Sequence, residues 1–246
     1  MKVKNRKIHV VGINSYEFEE LSSSVKSLLR NIENIAIPES YFDQINIWFN
    51  KSENCKKKLF SSGSNNDLIK WLENNKSDVA LLSRGDPLWF GIGRVLLDHF
   101  PKEELVFYPS ITCVQLAFRR LKKPWQSVKC LSIHGRETDK LIKAMKSRAH
   151  NLAIIPDHKK NNLELIRRNL LELQLDNFYQ IWICEELGFK GEKITALKTN
   201  EELPKDISDL HIIILTKKEV FNYKDTYPLF GIDDSLFKTF NDRPNL

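Results

Sequence analysis

The chain contains no apolar run approaching the ~18 residues that a bilayer crossing needs. It also lacks a secretory-type hydrophobic segment, because the polar stretch Met1 to Lys7 leads directly into the strand-like Ile8 to Gly12. Both absences point to a cytoplasmic protein without membrane association. Cysteine is sparse: Cys55, Cys113, Cys130 and Cys184 lie far apart, with no Cys-x-x-Cys pair and no histidine at zinc-finger spacing. That argues against a disulfide framework or a metal site and for isolated thiols in a reducing compartment. No G-x-x-x-x-G-K-[ST] loop is present, which removes P-loop nucleotide binding. Internal repeats and low-complexity blocks are missing as well.

What remains is an ordinary globular mixture, 41% hydrophobic and 28% charged over 246 residues, enough for one large domain or two modest ones. The net charge of +6 suits an anionic partner such as nucleic acid, a phosphate or a polycarboxylate. It equally suits a surface that is simply rich in lysine. Lys56-Lys57-Lys58 and Lys159-Lys160 lack the interleaved aromatics of single-strand binders, so charge alone selects no partner.

Short, β-branched apolar runs predict buried strands at Ile8 to Gly12, Asp78 to Leu82, Leu105 to Tyr108, Val128 to Ile133, Leu152 to Ile155, Ile181 to Cys184 and His211 to Leu215. Amphipathic stretches lie between them. Leu21, Val25, Leu28 and Leu29 recur at helical spacing, as do Val114, Ala117, Phe118 and Leu121, and again Leu163, Ile166, Leu170 and Leu173. Alternating strands and helices predict an α/β protein. Pro124 interrupts the pattern within Lys122 to Gln126, so two domains are expected, 1–123 and 124–222, followed by a tail at 223–246.

The stretch Val79 to Gly93 carries the most chemistry. A strand runs into Gly85-Asp86-Pro87, then aromatics, then Gly91-Ile92-Gly93 at a helix entry. Ligands in open α/β sheets bind at such C-terminal strand ends. Gly91-Ile92-Gly93 begins like G-x-G-x-x-G, but Leu96 stands where the third glycine should be, so a Rossmann dinucleotide site is not expected. Taken alone, Gly85-Asp86-Pro87 would be a surface turn.

Its surroundings change that. Ala80 to Gly93 resembles the GDP-x-x-x-G-x-G segment of the tetrapyrrole methylases. Tyr108-Pro109-Ser110-Ile111-Thr112-Cys113-Val114-Gln115-Leu116-Ala117-Phe118, Pro124-Trp125 and Ser132-Ile133-His134-Gly135-Arg136 narrow the resemblance to the precorrin-6Y methylases that act at C5 of the corrin precursor. Cys184-Glu185-Glu186-Leu187-Gly188 is similar to the family's Glu-x-Leu-Gly stretch, and weaker similarity runs from Ile8 to about Leu215. Phe230 to Phe237 resembles the linker to a C15-methylating domain in fused members.

The resemblance implies a two-domain tetrapyrrole methylase fold, each domain a mainly parallel sheet flanked by helices, assembled as a homodimer. It implies S-adenosylmethionine as cofactor and a tetrapyrrole polycarboxylate as substrate, with a C15-methyltransferase/decarboxylase as a possible partner. Carried over residue by residue, Gly12, Arg84, Gly85, Asp86, Thr112, Cys113, Pro156 and Leu187 would contact the cofactor. Asp86 would orient it, Arg136 would clamp a carboxylate arm, and His134 would move a proton at the ring. Positioning of this kind can lower a methyl-transfer barrier by roughly 7–11 kcal/mol without acid–base machinery. The family's Gly-x-Gly-Pro-Gly is here Gly12-Ile13-Asn14-Ser15-Tyr16, the glycine after Pro109 is Ser110, and the Thr-Asp-Gly-Arg-Asn-like run is Ile155 to Lys160. These departures leave open a non-catalytic tetrapyrrole-binding partner of the C15 enzyme, and the basic charge leaves open an rRNA methylase of the same superfamily, against which Pro124-Trp125 and Ser132 to Arg136 argue.

Overall fold

A computed structural model describes residues 6–14, 20–50, 57–133, 138–156 and 162–218. The described residues up to Leu116, together with Gly188–Lys190, form one compact unit, and the others from Ala117 onward form a second.

In the first unit the central strands are the most apolar. Strand β1 (Ile8–Ile13) buries Ile8, Val10, Val11 and Ile13 completely, and β4 (Val79–Arg84) is buried at every position but its last. Strands with both faces covered read as near-continuous apolar runs, which is why these two stood out in the sequence. With β2 (Asn34–Pro38), β3 (Lys58–Ser62) and β5 (Leu105–Tyr108) they form a sheet in the order β3-β2-β4-β1-β5, every pairing parallel.

Helices α1 (Ser23–Asn31), α2 (Phe42–Asn50), α3 (Asn65–Asn74) and α4 (Gly93–His99) connect these strands. The chain steps one way along the sheet through α1 and α2, and the other way through α3 and α4. Right-handed crossovers therefore put the two helix pairs on opposite faces. Leu68, Leu72 and Leu96 of α3 and α4 pack with Ile8, Val10, Val79 and Leu81. Side-chain caps start two helices, Ser22 accepting from Val25 N–H and Ser64 from Asp67 N–H.

The second unit departs from the expected mainly parallel sheet. Strands β6 (Val128–Ser132), β7 (Asn151–Ile155), β8 (Tyr179–Glu185), β9 (Lys193–Leu197) and β10 (His211–Lys217) lie in the order β6-β7-β10-β8-β9. Only β6 and β7, linked by α6 (Thr138–Lys146), pair in parallel, whereas β10 runs antiparallel to both its neighbours and β8 to β9. No helix lies between β8 and β10, and a strand pair joined without a crossover element pairs antiparallel. β10 takes the central place because Ile212 to Leu215 are all buried and need cover on both faces. Helices α6 and α7 (Asn162–Glu172) pack Leu141, Met145, Ile166 and Leu170 against Leu152, Ile183, Ile213 and Leu215.

The division between the units passes through α5 (Cys113–Leu121), and the expected joint at 122–126 follows that helix directly. Among the described residues no helix is long and apolar enough to cross a membrane.

Arg6 ties the start of β1 to two other elements. Its guanidinium donates to Glu104 at 3.0 Å, to the backbone carbonyls of Leu72 and Asn75 at the end of α3, and lies over Phe100. Replacing it strips several acceptors at once, including carbonyls at the negative end of a helix. Arg6→Met is expected to lower the unfolding free energy by about 2 kcal/mol, read as a shifted urea midpoint at constant slope. An unchanged midpoint would mean that these contacts contribute nothing net.

Candidate active site at the ends of the parallel strands

Strands β1 and β4 are neighbours whose onward connections leave in opposite directions, β1 toward β2 and β4 toward β5. The two connections cross each other on opposite faces of the sheet, and open α/β sheets bind ligands at the C-terminal strand ends where the direction of winding switches. Gly12, Gly85 and Thr112 all come to this point.

The contact there is very close. A Cβ on Gly12 would meet the Gly85 carbonyl oxygen at 2.1 Å, the Ser110 nitrogen at 2.8 Å and the Ser110 Cβ at 3.0 Å. Glycine at 12 thus makes room for the serine that replaces the family's glycine at 110. Gly85 N–H donates to the Ile13 carbonyl at 2.7 Å, and Gly85 has φ +61°, a left-handed backbone that glycine adopts without strain. The ideal Cβ position of Gly85 lies 3.6 Å from the Thr112 Cα, bringing the third strand end into contact.

The loop beyond is held by its own groups. Asp86 Oδ1 accepts the Leu88 N–H at 2.9 Å, an Asx turn, and the Asp86 carbonyl accepts from Trp89 at 3.0 Å. The Pro87 carbonyl accepts from Gly93 at 2.8 Å and would collide with a side chain at Gly91 or Gly93, which accounts for both glycines. Phe90 has φ 49°, is exposed, and packs edge-on against Trp89 with ring centroids 4.9 Å apart.

Thr112 caps α5. It exchanges contacts with Gln115 as a capping box: Gln115 Oε1 accepts from the Thr112 N–H at 2.9 Å and from Oγ1 at 3.1 Å, while Thr112 Oγ1 accepts from the Gln115 N–H at 3.2 Å. The hydroxyl proton is therefore committed to the helix, and one acceptor position is left for a ligand. Cys113, half-buried, is the first residue of that helix.

Arg84 points elsewhere. It is exposed, and its guanidinium lies 5.2 Å from the centre of the Tyr41 ring, which itself stacks on Phe189. Pro156, after β7, is buried in the second unit, as is Leu187. Gly188, which the sequence reading treated only as part of a motif, has φ +83° and no room for a Cβ beside the Asn14 carbonyl oxygen at 2.3 Å. His134 and Arg136 lie outside the described residues, as do Ser15 and Tyr16 of the altered glycine loop and the tail at 223–246.

The site offers a backbone cradle, one carboxylate oxygen of Asp86 beyond the turn, and the exposed side chains of Leu88 and Ile111. A cationic group with hydrogen-bonding ends and an apolar middle fits that set, as S-adenosylmethionine would.

The sequence model of the tetrapyrrole (corrin/porphyrin) methylases matches residues 7–203. This chain belongs to that family. Among family relatives, a probable cobalt-precorrin-7 C(5)-methyltransferase of Methanocaldococcus jannaschii is 26% identical over 84% of this chain and 96% of its own. A decarboxylating precorrin-6Y C(5,15)-methyltransferase of a Sinorhizobium species is 29% identical over 49% of this chain, which covers 28% of that longer protein. The solved precorrin-6Y methylase of Archaeoglobus fulgidus superposes with a TM-score of 0.61 at 22% identity, over 86% of this chain and 98% of its own. A uroporphyrin-III C-methyltransferase from Thermus thermophilus, solved with S-adenosyl homocysteine, superposes with a TM-score of 0.57 at 15% identity, over 85% of this chain and 97% of its own.

The packing of these strand ends depends on the missing side chain at position 12. Gly12→Ala is expected to destabilise the chain by about 2 kcal/mol through overpacking against the Gly85 carbonyl. Thr112→Ala should cost about 1 kcal/mol by loss of the cap, with Thr112→Ser restoring most of it. Chemical denaturation checks both; a neutral Gly12→Ala would show that the strand ends are loosely packed.

Proposed function

We propose that this methylase transfers a methyl group from S-adenosylmethionine to C5 of a corrin precursor, precorrin-6Y, precorrin-7 or the cobalt form, in cobalamin biosynthesis. The observation that carries the reading is the convergence of Gly12, Gly85 and Thr112 at the C-terminal ends of β1, β4 and β5, in a chain that matches the tetrapyrrole methylases along most of its length. S-adenosylmethionine supplies an electrophilic methyl group on a sulfonium when bound.

The protein's part is to hold and orient. The backbone of Gly85, the remaining lone pair of Thr112 Oγ1 and the outer oxygen of Asp86 bind the amino-acid end of the cofactor. Asp86 does not act as a base, because one of its oxygens is fixed in the turn and the other faces a cation. The resemblance to the family carries Pro156 and Leu187 over to the adenine side of the cofactor. Arg136 pairs with a carboxylate arm of the macrocycle through its planar fork, and His134 moves a proton at the ring. The corrin precursor brings its own nucleophilic carbon, so no further activating group is needed. The same reading carries domains at 1–123 and 124–222, a homodimer, and a cytoplasmic location.

Calorimetric titration with S-adenosylmethionine tests this. Asp86→Asn keeps an acceptor for the Leu88 N–H but removes the charge, so affinity should fall about tenfold or more with an unchanged thermal midpoint. His158→Ala should bind normally. Absence of binding at millimolar cofactor would overturn the enzyme reading in favour of a non-catalytic tetrapyrrole carrier, and labelled methyl passing to stripped RNA instead of a corrin precursor would replace the substrate class.

A further inference from the structure

The last residue of β4 is the one position of that strand that faces solvent, and it is an arginine. Side chains alternate along a strand, so Arg84 shares a face with Leu82, opposite to Leu81 and Ser83. On that face it meets the turn leading into α2, where its guanidinium carbon lies 5.2 Å from the centre of the Tyr41 ring. Tyr41 is only 1% exposed, and its ring stacks on Phe189 with planes 26° apart. All three residues belong to the first unit. The starting point of the side chain is rigid as well: Arg84 pairs with Ile13 in the sheet, and the next N–H, that of Gly85, donates to the Ile13 carbonyl.

A guanidinium within about 6 Å of an aromatic centroid is held by the ring quadrupole, and its edge of N–H donors stays available. The protein does not use that edge. Arg6 and Arg120 direct theirs to Glu104 and Glu192, whereas Arg84 makes no hydrogen bond or ion pair among the described residues. Asp86, Glu39 and Asp43 are the carboxylates nearest to Arg84 and Tyr41 along the chain, and none pairs with it. Asp86 turns back onto Leu88, and Glu39 lies against Gly63 at the end of β3. Lys190 follows Phe189 directly, is exposed, and likewise has no ion pair among the described residues, so a second positive charge adjoins the same aromatic stack.

We propose that Arg84 is a substrate-binding residue that takes a carboxylate through its planar fork, with Lys190 as the neighbouring charge. A fork already fixed against a buried ring loses little freedom when it pairs bidentately. Two sources of carboxylate exist at this end of the sheet, an arm of the tetrapyrrole and the amino-acid end of the cofactor. The groups assigned to the cofactor, Gly85 and Asp86, lie in the turn beyond the strand, whereas Arg84 leaves the strand on the Tyr41 face. Resting on the function proposed above, the carboxylate is therefore an acetate or propionate arm of the corrin precursor. An arm paired with Arg84 is anchored one residue from the loop that orients the methyl donor.

Fluorescence titration of the full chain with uroporphyrin, a stable tetrapyrrole polycarboxylate, tests the site without cofactor or turnover. Arg84→Met keeps an apolar stem on Tyr41 but removes the fork, and affinity should fall about tenfold. Arg84→Lys keeps the charge without the fork and should lose about threefold. Lys102→Gln, at the opposite end of the sheet, should bind as the wild type does. The urea midpoint of Arg84→Met should stay near the wild-type value, because no hydrogen bond is lost. Calorimetry should give S-adenosylmethionine affinities within about twofold of one another for all of these chains. Absence of saturable uroporphyrin binding, unchanged affinity in Arg84→Met, or an equal loss in Lys102→Gln would overturn the site. Weakened S-adenosylmethionine with uroporphyrin unmoved would transfer the carboxylate to the cofactor and overturn the assignment to a substrate arm. With a corrin precursor, Arg84→Met should raise KM about tenfold with a much smaller change in kcat. An unmoved KM in an active methylase would overturn this inference and leave the proposed function standing. Uroporphyrin binding that depends on Arg84, in a protein that methylates no corrin precursor, would overturn the proposed function and leave the arginine site standing.

Discussion

The approach of the Gly85 carbonyl oxygen to Gly12, nearer than any side chain at position 12 could allow, is the constraint on which the functional end of the first unit depends. Three strand ends meet there. The hydrogen bond from Gly85 to Ile13 fixes the β4 loop on β1, and Ser110 closes from β5 into the space that glycine leaves. Everything downstream inherits that geometry: the left-handed turn at Gly85, the Asx turn of Asp86, and the glycine pair at 91 and 93 folded over the Pro87 carbonyl.

Closeness of this kind also explains how the family's glycine pattern can change without losing the strand-end packing. The glycine expected after Pro109 is Ser110, and its Cβ fits because position 12 has none. Polar groups at the site are largely committed to structure first. Thr112 spends its proton on Gln115 and Asp86 spends one oxygen on Leu88, so ligand recognition falls to backbone groups and to the remaining lone pairs. A site built this way is rigid before anything binds, which suits a reaction governed by positioning.

The second unit follows a different rule. Its sheet is mixed because the chain after β8 carries no helix to return it in parallel, and the apolar run at Ile212 to Leu215 is drawn to the sheet centre by its need for cover on both faces. The polar hydrogen bond from Trp182 Nε1 to Thr216 Oγ1 at 3.0 Å then locks β8 and β10 in register.

Much of this was legible in the sequence. Buried central strands announced themselves as apolar runs, the helices α1, α5 and α7 as 3.6-residue stripes, and the Gly85-Asp86-Pro87 loop as a turn at a strand end. Strands β2, β3 and β9 did not stand out. β3 and β9 are five-residue edge strands with polar positions facing out, and β2 is as short and ends in a proline. Composition and periodicity thus determined the fold class, the alternation of elements and the family resemblance, because those depend on local spacing and burial. Only the tertiary structure decided the strand order, the antiparallel insertion of β10 and the commitment of Thr112 to a capping box. Each depends on which distant segment lies opposite, and no local pattern encodes that neighbour.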